Sequence, residues 1–159
     1  MKILLILPIF FCSLAFSEDF NLICEGERKV RNLSSKEFNV TNFESVLLKI
    51  NKNSMDYIGL NSGRSYFLSN REYTAPKRPP HEDIKITEHY EYTPKTIKAS
   101  QIIADTGDSE ESTINIFSLD VNLLTGELNE TEITRNKKTN VKSLSNNFQA
   151  LCKREDRSY

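Results

Sequence analysis

The 159-residue chain contains no tryptophan, two histidines and three cysteines. Its formal net charge is −1, and its basic residues form no stripe, so nothing predicts binding to nucleic acid or to an anionic membrane surface. Without tryptophan the chain lacks the Gly-x-Trp signature of lipocalins. The chain also lacks a nucleophile elbow, a phosphate-binding loop and a dinucleotide-binding fingerprint. These absences favour a non-enzymatic protein without a cofactor.

Only one long apolar run is present, at 3–16, and it follows the basic Lys2. Ala15 and Ser17 then place small residues at the two positions that a signal peptidase reads. The run of about 14 residues is shorter than the roughly 20 that cross a bilayer as a helix. We therefore expect a signal peptide at 1–17, with an uncleaved N-terminal anchor as the alternative. The mature protein would be periplasmic or secreted, without membrane insertion.

The cysteines agree with export. Loss of the leader would remove Cys12 and leave Cys24 and Cys152, an even number in an oxidising compartment. This pattern predicts a Cys24–Cys152 disulfide, the alternative being two separate buried thiols. In the chain-entropy model such a long loop contributes about 4–5 kcal/mol. The two cysteines lie near the ends of a single domain, predicted at 18–152, with a disordered polar tail at 153–159.

Alternation of apolar and polar residues predicts an all-β fold. The clearest strand is Ile84–Tyr92, in which four apolar or aromatic side chains face one way. The other predicted strands are Phe20–Glu27, Glu44–Ile50, Met55–Leu60, Ser65–Leu68, Thr96–Ala104, Thr113–Leu123, Leu128–Arg135 and Val141–Cys152. About eight short strands with frequent turn signals are typical of an antiparallel up-and-down meander, as a barrel or a sandwich. Its first and last strands would be neighbours, joined by the disulfide.

Three segments interrupt this pattern. Arg28–Asn42 is polar and predicts irregular structure. Asn70–Pro80 contains three prolines, which have no amide donor, and predicts an exposed crossing. In Thr113–Leu123 the apolar positions change parity, which predicts a β-bulge near Phe117.

Asp105-Thr106-Gly107, preceded by three apolar residues, resembles the active-site triplet of pepsin- and retropepsin-like aspartic proteases. The resemblance implies that Asp105 would share a proton with the Asp105 of a second copy in a homodimer. Asp108 stands where that family has a small residue. The other interpretation is an acidic turn after a strand, since all three residues are common in turns.

Two clusters have metal-ligand chemistry without the usual spacing. The acidic loop has oxygen ligands for calcium but no EF-hand pattern, and it comprises Asp105, Asp108, Glu110 and Glu111. His81 and His89 have acidic neighbours but no zinc spacing. We interpret the loop as solvated and both histidines as surface residues. Five tyrosines could line a ligand cavity, although packing on strands is their default role: Tyr57, Tyr66, Tyr73, Tyr90 and Tyr92.

Features near both ends resemble small uncharacterised exported proteins of Gram-negative bacteria. The matching positions are Cys24 and Gly26 near the mature start, Ile114 and Leu119, the Thr125-Gly126 turn, and the Cys152-Lys153 pair. The resemblance covers the ends and the final third of the chain. It implies a β-rich periplasmic protein with a cysteine near each end, and it implies no activity.

The sequence favours an exported β domain that binds a small molecule or an envelope partner. The alternatives are a dimeric aspartic-protease-like hydrolase that uses Asp105 and a purely structural role in the envelope. A fold of this class hosts many functions, so function has to be argued from a site.

Overall fold

The computed structural model describes residues 19–33, 38–76, 83–107 and 110–155. Ten β-strands occupy these ranges: β1 (Phe20–Asn32), β2 (Phe38–Ile50), β3 (Ser54–Gly59), β4 (Ser65–Ser69), β5 (Arg71–Ala75), β6 (Ile84–Tyr92), β7 (Thr96–Asp105), β8 (Thr113–Asn122), β9 (Glu127–Asn136) and β10 (Lys142–Glu155). The predicted signal peptide at 1–17 lies outside the described residues. Within them, no helix has the length and apolarity needed to cross a membrane.

The strands form one antiparallel sheet in the order β4-β3-β2-β1-β10-β9-β8-β7-β6-β5. Neighbouring strands follow one another along the chain, except for β1 and β10, which join the two halves of the sheet. The sheet curls into a nearly closed barrel whose edges are β4 and β5. The predicted all-β meander with adjacent first and last strands is therefore confirmed, with ten strands rather than about eight.

The predicted disulfide is also confirmed. Cys24 lies directly opposite Cys152 in the β1–β10 ladder, and their sulfur atoms are bonded. Cys24 is fully buried, and Cys152 is half-buried. The bond thus cross-links the first and last strands, whose two cysteines are separated by 128 residues in the sequence.

Near the gap between the edge strands β4 and β5, the side chain of Asn70 forms hydrogen bonds to the backbone of β6. Asn70 is the single residue between β4 and β5, and its amide nitrogen donates to the Tyr90 carbonyl on β6 at 2.9 Å. Its amide oxygen accepts from the Tyr90 N–H at 2.8 Å. The Asn70 side chain therefore takes the place of one backbone pair between β4 and β6.

The core fills the inside of the curled sheet. Alternate residues on each strand point inward, as the pleat requires. The buried cluster consists of Leu22, Cys24, Val46, Leu48, Ile50, Met55, Tyr57, Leu68, Tyr90, Ile97, Ala99, Phe117, Leu119, Val121, Leu128 and Phe148. The inward alternation predicted for Ile84–Tyr92 is present in β6, where Ile86 and Tyr90 are buried and His89 is exposed.

Strand lengths differ from the prediction at three places. β1 continues to Asn32 and β2 begins at Phe38, inside the segment expected to be irregular. The inward position at the start of that segment is occupied by the charged Arg28, which hides the alternation. β5 lies inside the segment predicted to be an exposed crossing. A strand can form there because the three prolines of that segment all follow Ala75, where β5 ends. β10 includes 153–155, which pair with β1, so the tail prediction is wrong for those residues.

The predicted bulge near Phe117 is wrong. β8 pairs with both β7 and β9 in unbroken register from Ile114 to Val121. The parity change instead reflects a different environment on each face. Phe117 points into the core, whereas Ile114 and Ile116 lie half-buried on the outer face.

Candidate functional site

The interior of the barrel is apolar at one end and charged at the other. We call the apolar end the cystine end, because β1 begins there and β10 ends there beside the Cys24–Cys152 bond. Its inward residues are mostly aliphatic and aromatic. At the opposite end the inward positions carry Arg28, Glu44 and Glu130.

A cavity of about 260 Å³ opens at the cystine end. We call this cavity the mouth, and it is lined by Phe20, Leu22, Tyr92, Pro94, Val121, Asn122, Leu123, Gly126, Cys152 and Arg154. Leu22 and Val121 are buried, whereas Tyr92 is 37 % exposed at the opening. Most residues that line the mouth are therefore apolar, and polar side chains lie at its opening.

The lining is held in place by the end of the β10 strand. The Cys152 N–H donates to the Gly126 carbonyl at 2.7 Å, which ties β10 to the turn before β9. Gly126 has a φ of 77°, and a Cβ there would lie 2.8 Å from the Cys152 carbonyl oxygen. Glycine is needed at this position both for the backbone conformation and for the close approach.

The rim of the mouth carries two aromatic rings and one guanidinium. The Phe20 and Tyr92 rings are tilted with centroids 6.2 Å apart. The guanidinium carbon of Arg154 lies 4.7 Å from the Phe20 ring centroid. This cation–π contact places a positive charge beside an apolar opening.

A second concave region lies on the outer face of β1, β9 and β10. Its volume is about 500 Å³, and the outward residues that line it include Glu25, Glu27 and Glu127. It is larger than the mouth but follows the outside of the sheet. Three exposed carboxylates without a buried polar group are typical of a solvated face, so this groove carries no functional assignment.

The charged end of the barrel is organised around Arg28, which is buried on β1. Arg28 Nε donates to Glu44, and its Nη1 donates to Glu130 at 2.5 Å and to Asn146 at 3.1 Å. Its Nη2 donates to the Tyr57 hydroxyl at 2.8 Å. These contacts join five strands, β1, β2, β3, β9 and β10, through one side chain.

The network changes the acid–base behaviour of its members. Burial opposes the charge on Arg28, but the hydrogen bonds to Glu130 and Glu44 and the negative charge of Glu130 outweigh it and raise the Arg28 pKa. Burial raises the pKa of Tyr57, and the Glu130 carboxylate, which accepts the Tyr57 hydroxyl at 2.6 Å, adds to the shift. Tyr57 therefore stays neutral and acts as a donor.

A partly exposed ion pair lies between the buried network and solvent. Arg64 donates to Glu132 at 2.8 Å, and both side chains are partly exposed. Glu132 also accepts from Asn146 at 3.1 Å, which links this pair to Arg28. One oxygen of the buried Glu44 carboxylate has no hydrogen-bond partner among the residues that the structure describes.

Another buried carboxylate lies next to the gap between β4 and β5. Glu88 accepts from Gln101 at 3.0 Å and from Arg71 at 2.5 Å. The Arg71 guanidinium lies 5.0 Å from the ring centroids of both Phe67 and Tyr73. This ion pair supports the two edge strands, and we assign it a structural role.

Asp105, the catalytic residue of the alternative hydrolase, lies half-buried at the end of β7. Its Oδ2 accepts from the Thr113 N–H at 2.7 Å and from the Thr113 hydroxyl at 3.2 Å. These bonds are those of a carboxylate that ties one strand to the next across a turn. The dyad would require a second copy of the chain, and the hydrolase stays a prediction.

The other predicted site residues are dispersed. Glu110 is exposed and 3.7 Å from Lys138, while Asp108 and His81 lie outside the described residues. Within the described ranges, no group of three metal-binding side chains comes together.

The tyrosines divide between the two roles. Tyr57 and Tyr66 pack against Phe117, Tyr66 in a stacked arrangement at 4.7 Å. Tyr90 is buried, with its hydroxyl donating to the Asn51 carbonyl at 2.7 Å. Of the five tyrosines in the predicted set, Tyr92 alone lines the mouth.

Sequence reasoning missed both Arg28 and Arg154. A signal for each was present, because Leu22, Cys24, Gly26 and Arg28 share one parity, and so do Ala150, Cys152 and Arg154. Extending each alternation two residues further would have placed both arginines on the inward face.

Comparisons of the chain with protein-family models, with curated proteins and with solved structures found no match. The site therefore has to be interpreted from its own geometry.

Proposed function

We propose that this protein is an exported, non-enzymatic β domain that binds a small ligand in the mouth at its cystine end. The observation that carries the proposal is the mouth itself, a cavity of about 260 Å³ that is lined mostly by apolar residues and opens to solvent at the end of the curled sheet. Ligand sites are typically concave and mostly apolar, with a few polar groups that orient the ligand.

The size of the mouth limits the ligand. Pockets for drug-sized molecules occupy about 300–1,000 Å³, so the mouth suits a smaller molecule or part of one. The buried Leu22 and Val121 contribute apolar surface inside, and Asn122 and Arg154 contribute polar groups at the opening. In such sites the apolar surface supplies most of the affinity, and the few polar groups orient the ligand.

The chemistry of the lining favours binding over catalysis. Among the described residues that line the mouth there is no histidine, carboxylate or hydroxyl other than that of Tyr92. Tyr92 and Arg154 contribute hydrogen bonds and charge, whereas covalent or general-base catalysis usually needs a nucleophile with a base beside it.

Export is supported by the leader-like sequence and by the disulfide, since disulfides persist in oxidising compartments. The resemblance to exported proteins of Gram-negative bacteria points the same way. We place the protein in the periplasm or outside the cell. A small molecule is favoured over an envelope protein as the occupant because the cavity is too small for a folded partner.

The test uses the neutral fluorescent probe N-phenyl-1-naphthylamine, whose emission rises in an apolar environment. Leu123 lines the mouth, whereas the next residue, Leu124, is 73 % exposed in the turn. We expect saturable 1:1 binding to the wild type. Leu123→Glu should weaken it at least about 10-fold, because a carboxylate would enter the apolar cavity.

Leu124→Glu is the matched control and should bind the probe as the wild type does. Circular dichroism should show that both variants are folded. Absence of saturable binding to the wild type, or equal binding by Leu123→Glu, would overturn the proposed function.

A further inference from the structure

We infer that the ligand of the mouth is a small amphipathic anion, with an apolar body inside the cavity and a carboxylate or sulfonate held by Arg154. The inference rests on the proposed function and adds the chemical class of the ligand. Its starting point is the position of Arg154, which the β1–β10 register places opposite Leu22.

The backbone of β10 aims Arg154 at the opening. Cys152 lines the mouth, and Arg154 follows it by two residues, so the pleat directs both side chains to the same face. Lys153, between them, has the opposite orientation and pairs with Ile23 of β1. The positive charge at the mouth is therefore specified by one position of the strand.

The contact with Phe20 orients the Arg154 guanidinium without using its hydrogen-bond donors. A cation–π contact uses the face of the guanidinium plane, here 4.7 Å from the ring centroid. The five N–H donors lie in that plane, so Arg154 can bind a carboxylate in a bidentate manner and keep another partner as well. Stacking also reduces the freedom that the side chain loses on binding.

Charge at the mouth selects the sign of the ligand. Among the described lining residues, Arg154 alone carries a formal charge. Arg154 is exposed at the opening, where its charge attracts an anion and opposes entry of a cation. An uncharged ligand such as an alcohol would use the apolar part of the lining and could accept a neutral hydrogen bond from the guanidinium, but it would lack the stronger charge-assisted pair.

Three ligands with the same chain test the head group: octanoate, 1-octanol and octylammonium, each displacing N-phenyl-1-naphthylamine. We expect octanoate to bind about 10-fold more tightly than octanol, as a charge-assisted hydrogen-bonded pair typically allows, and octylammonium to bind more weakly than octanol. The preference for octanoate should fall as salt is raised, because the pair lies at an exposed rim.

Two variants assign the preference to Arg154. Arg154→Gln should reduce octanoate binding about 10-fold while octanol binding changes less than about twofold. Lys153→Gln removes the same formal charge from the adjacent position and should leave both affinities within about twofold. Arg154→Lys should keep part of the preference, since it retains charge but loses the planar fork.

The outcomes separate the two proposals. Equal binding of octanoate and octanol to the wild type, or an unchanged preference in Arg154→Gln, would overturn the anionic class and leave the mouth as a site for a neutral ligand. Failure of the wild type to bind the probe or any of the three ligands would overturn the proposed function together with this inference.

Discussion

Replacement of Arg28 by methionine should be among the most destabilising single changes in this protein. The substitution keeps an unbranched side chain but removes the charge that lies between Glu44 and Glu130. The side chains of these two residues are 4 % and 0 % exposed. Breaking a buried ion pair by removing one partner typically costs about 3–5 kcal/mol.

The two carboxylates would not be affected equally. Glu130 would keep the hydrogen bond from the Tyr57 hydroxyl at 2.6 Å and the Arg64 guanidinium at 3.9 Å. Glu44 already has one oxygen without a partner in the described part of the chain. We therefore expect a loss in the upper part of that range, with most of it arising at Glu44.

Urea unfolding followed by far-ultraviolet circular dichroism measures the effect, and tyrosine fluorescence provides a second probe in a chain without tryptophan. The control is Lys29→Met on the same strand, because the Lys29 side chain is 64 % exposed and 3.9 Å from Glu27. Such a pair contributes at most about 1 kcal/mol, so Lys29→Met should be nearly neutral.

A second arm tests the cause. Glu44→Gln and Glu130→Gln added to Arg28→Met should recover stability, because no buried charge would then lack its partner. A loss below about 1 kcal/mol in Arg28→Met, or no recovery in the triple variant, would refute the argument that uncompensated burial sets the cost.

Three further predictions concern other parts of the fold. Cys24→Ser with Cys152→Ser should lower the free energy of unfolding by about 5 kcal/mol, since the bond closes a 128-residue separation, and a cost below about 2 kcal/mol in urea unfolding would contradict this. Gly126→Ala should cost about 1–3 kcal/mol more than Gly63→Ala in the same assay, because both glycines have positive φ but only Gly126 would place its Cβ against a backbone oxygen. Because burial raises the pKa of Tyr57, the folded protein holds this proton above pH 10 when the unfolded chain has lost it, so stability should fall there by up to about 1.4 kcal/mol per pH unit. Urea unfolding at several pH values should show a shallower decline for Tyr57→Phe, and an equal decline in both proteins would contradict this.

The sequence predicted those parts of the fold in which the interior is apolar. Ile86 and Tyr90 in β6 follow the alternation that a half-buried strand requires, and Cys24 and Cys152 end up paired because a meander makes its first and last strands neighbours. The compartment, the absence of catalysis and the resemblance to exported proteins stay predictions.

The buried ion pairs and the mouth were not predicted from the sequence. For the ion pairs, the reason is that charged side chains occupy inward positions of the barrel. An apolar–polar pattern predicts that glutamates lie on the surface. Glu44, Glu88 and Glu130 are nevertheless buried, and each forms an ion pair with an arginine. Glu44 and Glu88 pair with arginines 16 and 17 residues away on the adjacent strand, whereas Glu130 pairs with Arg28 across 102 residues. No local apolar pattern reveals these pairs. The mouth was not predicted, since its lining comes from the ends of several strands and the turns between them.

The strand order also bears on how the protein folds. The ladders within β1–β4 and within β5–β10 each join strands that follow one another, so both groups can form as local hairpins on the microsecond scale. Among the ten described strands, only the β1–β10 ladder has to bring together residues from distant parts of the chain. Its assembly carries the loop-closure cost and should be the slow step. Because Cys24 and Cys152 lie within that ladder, oxidation would occur with or after this step, and a preformed bond should speed refolding as well as slow unfolding.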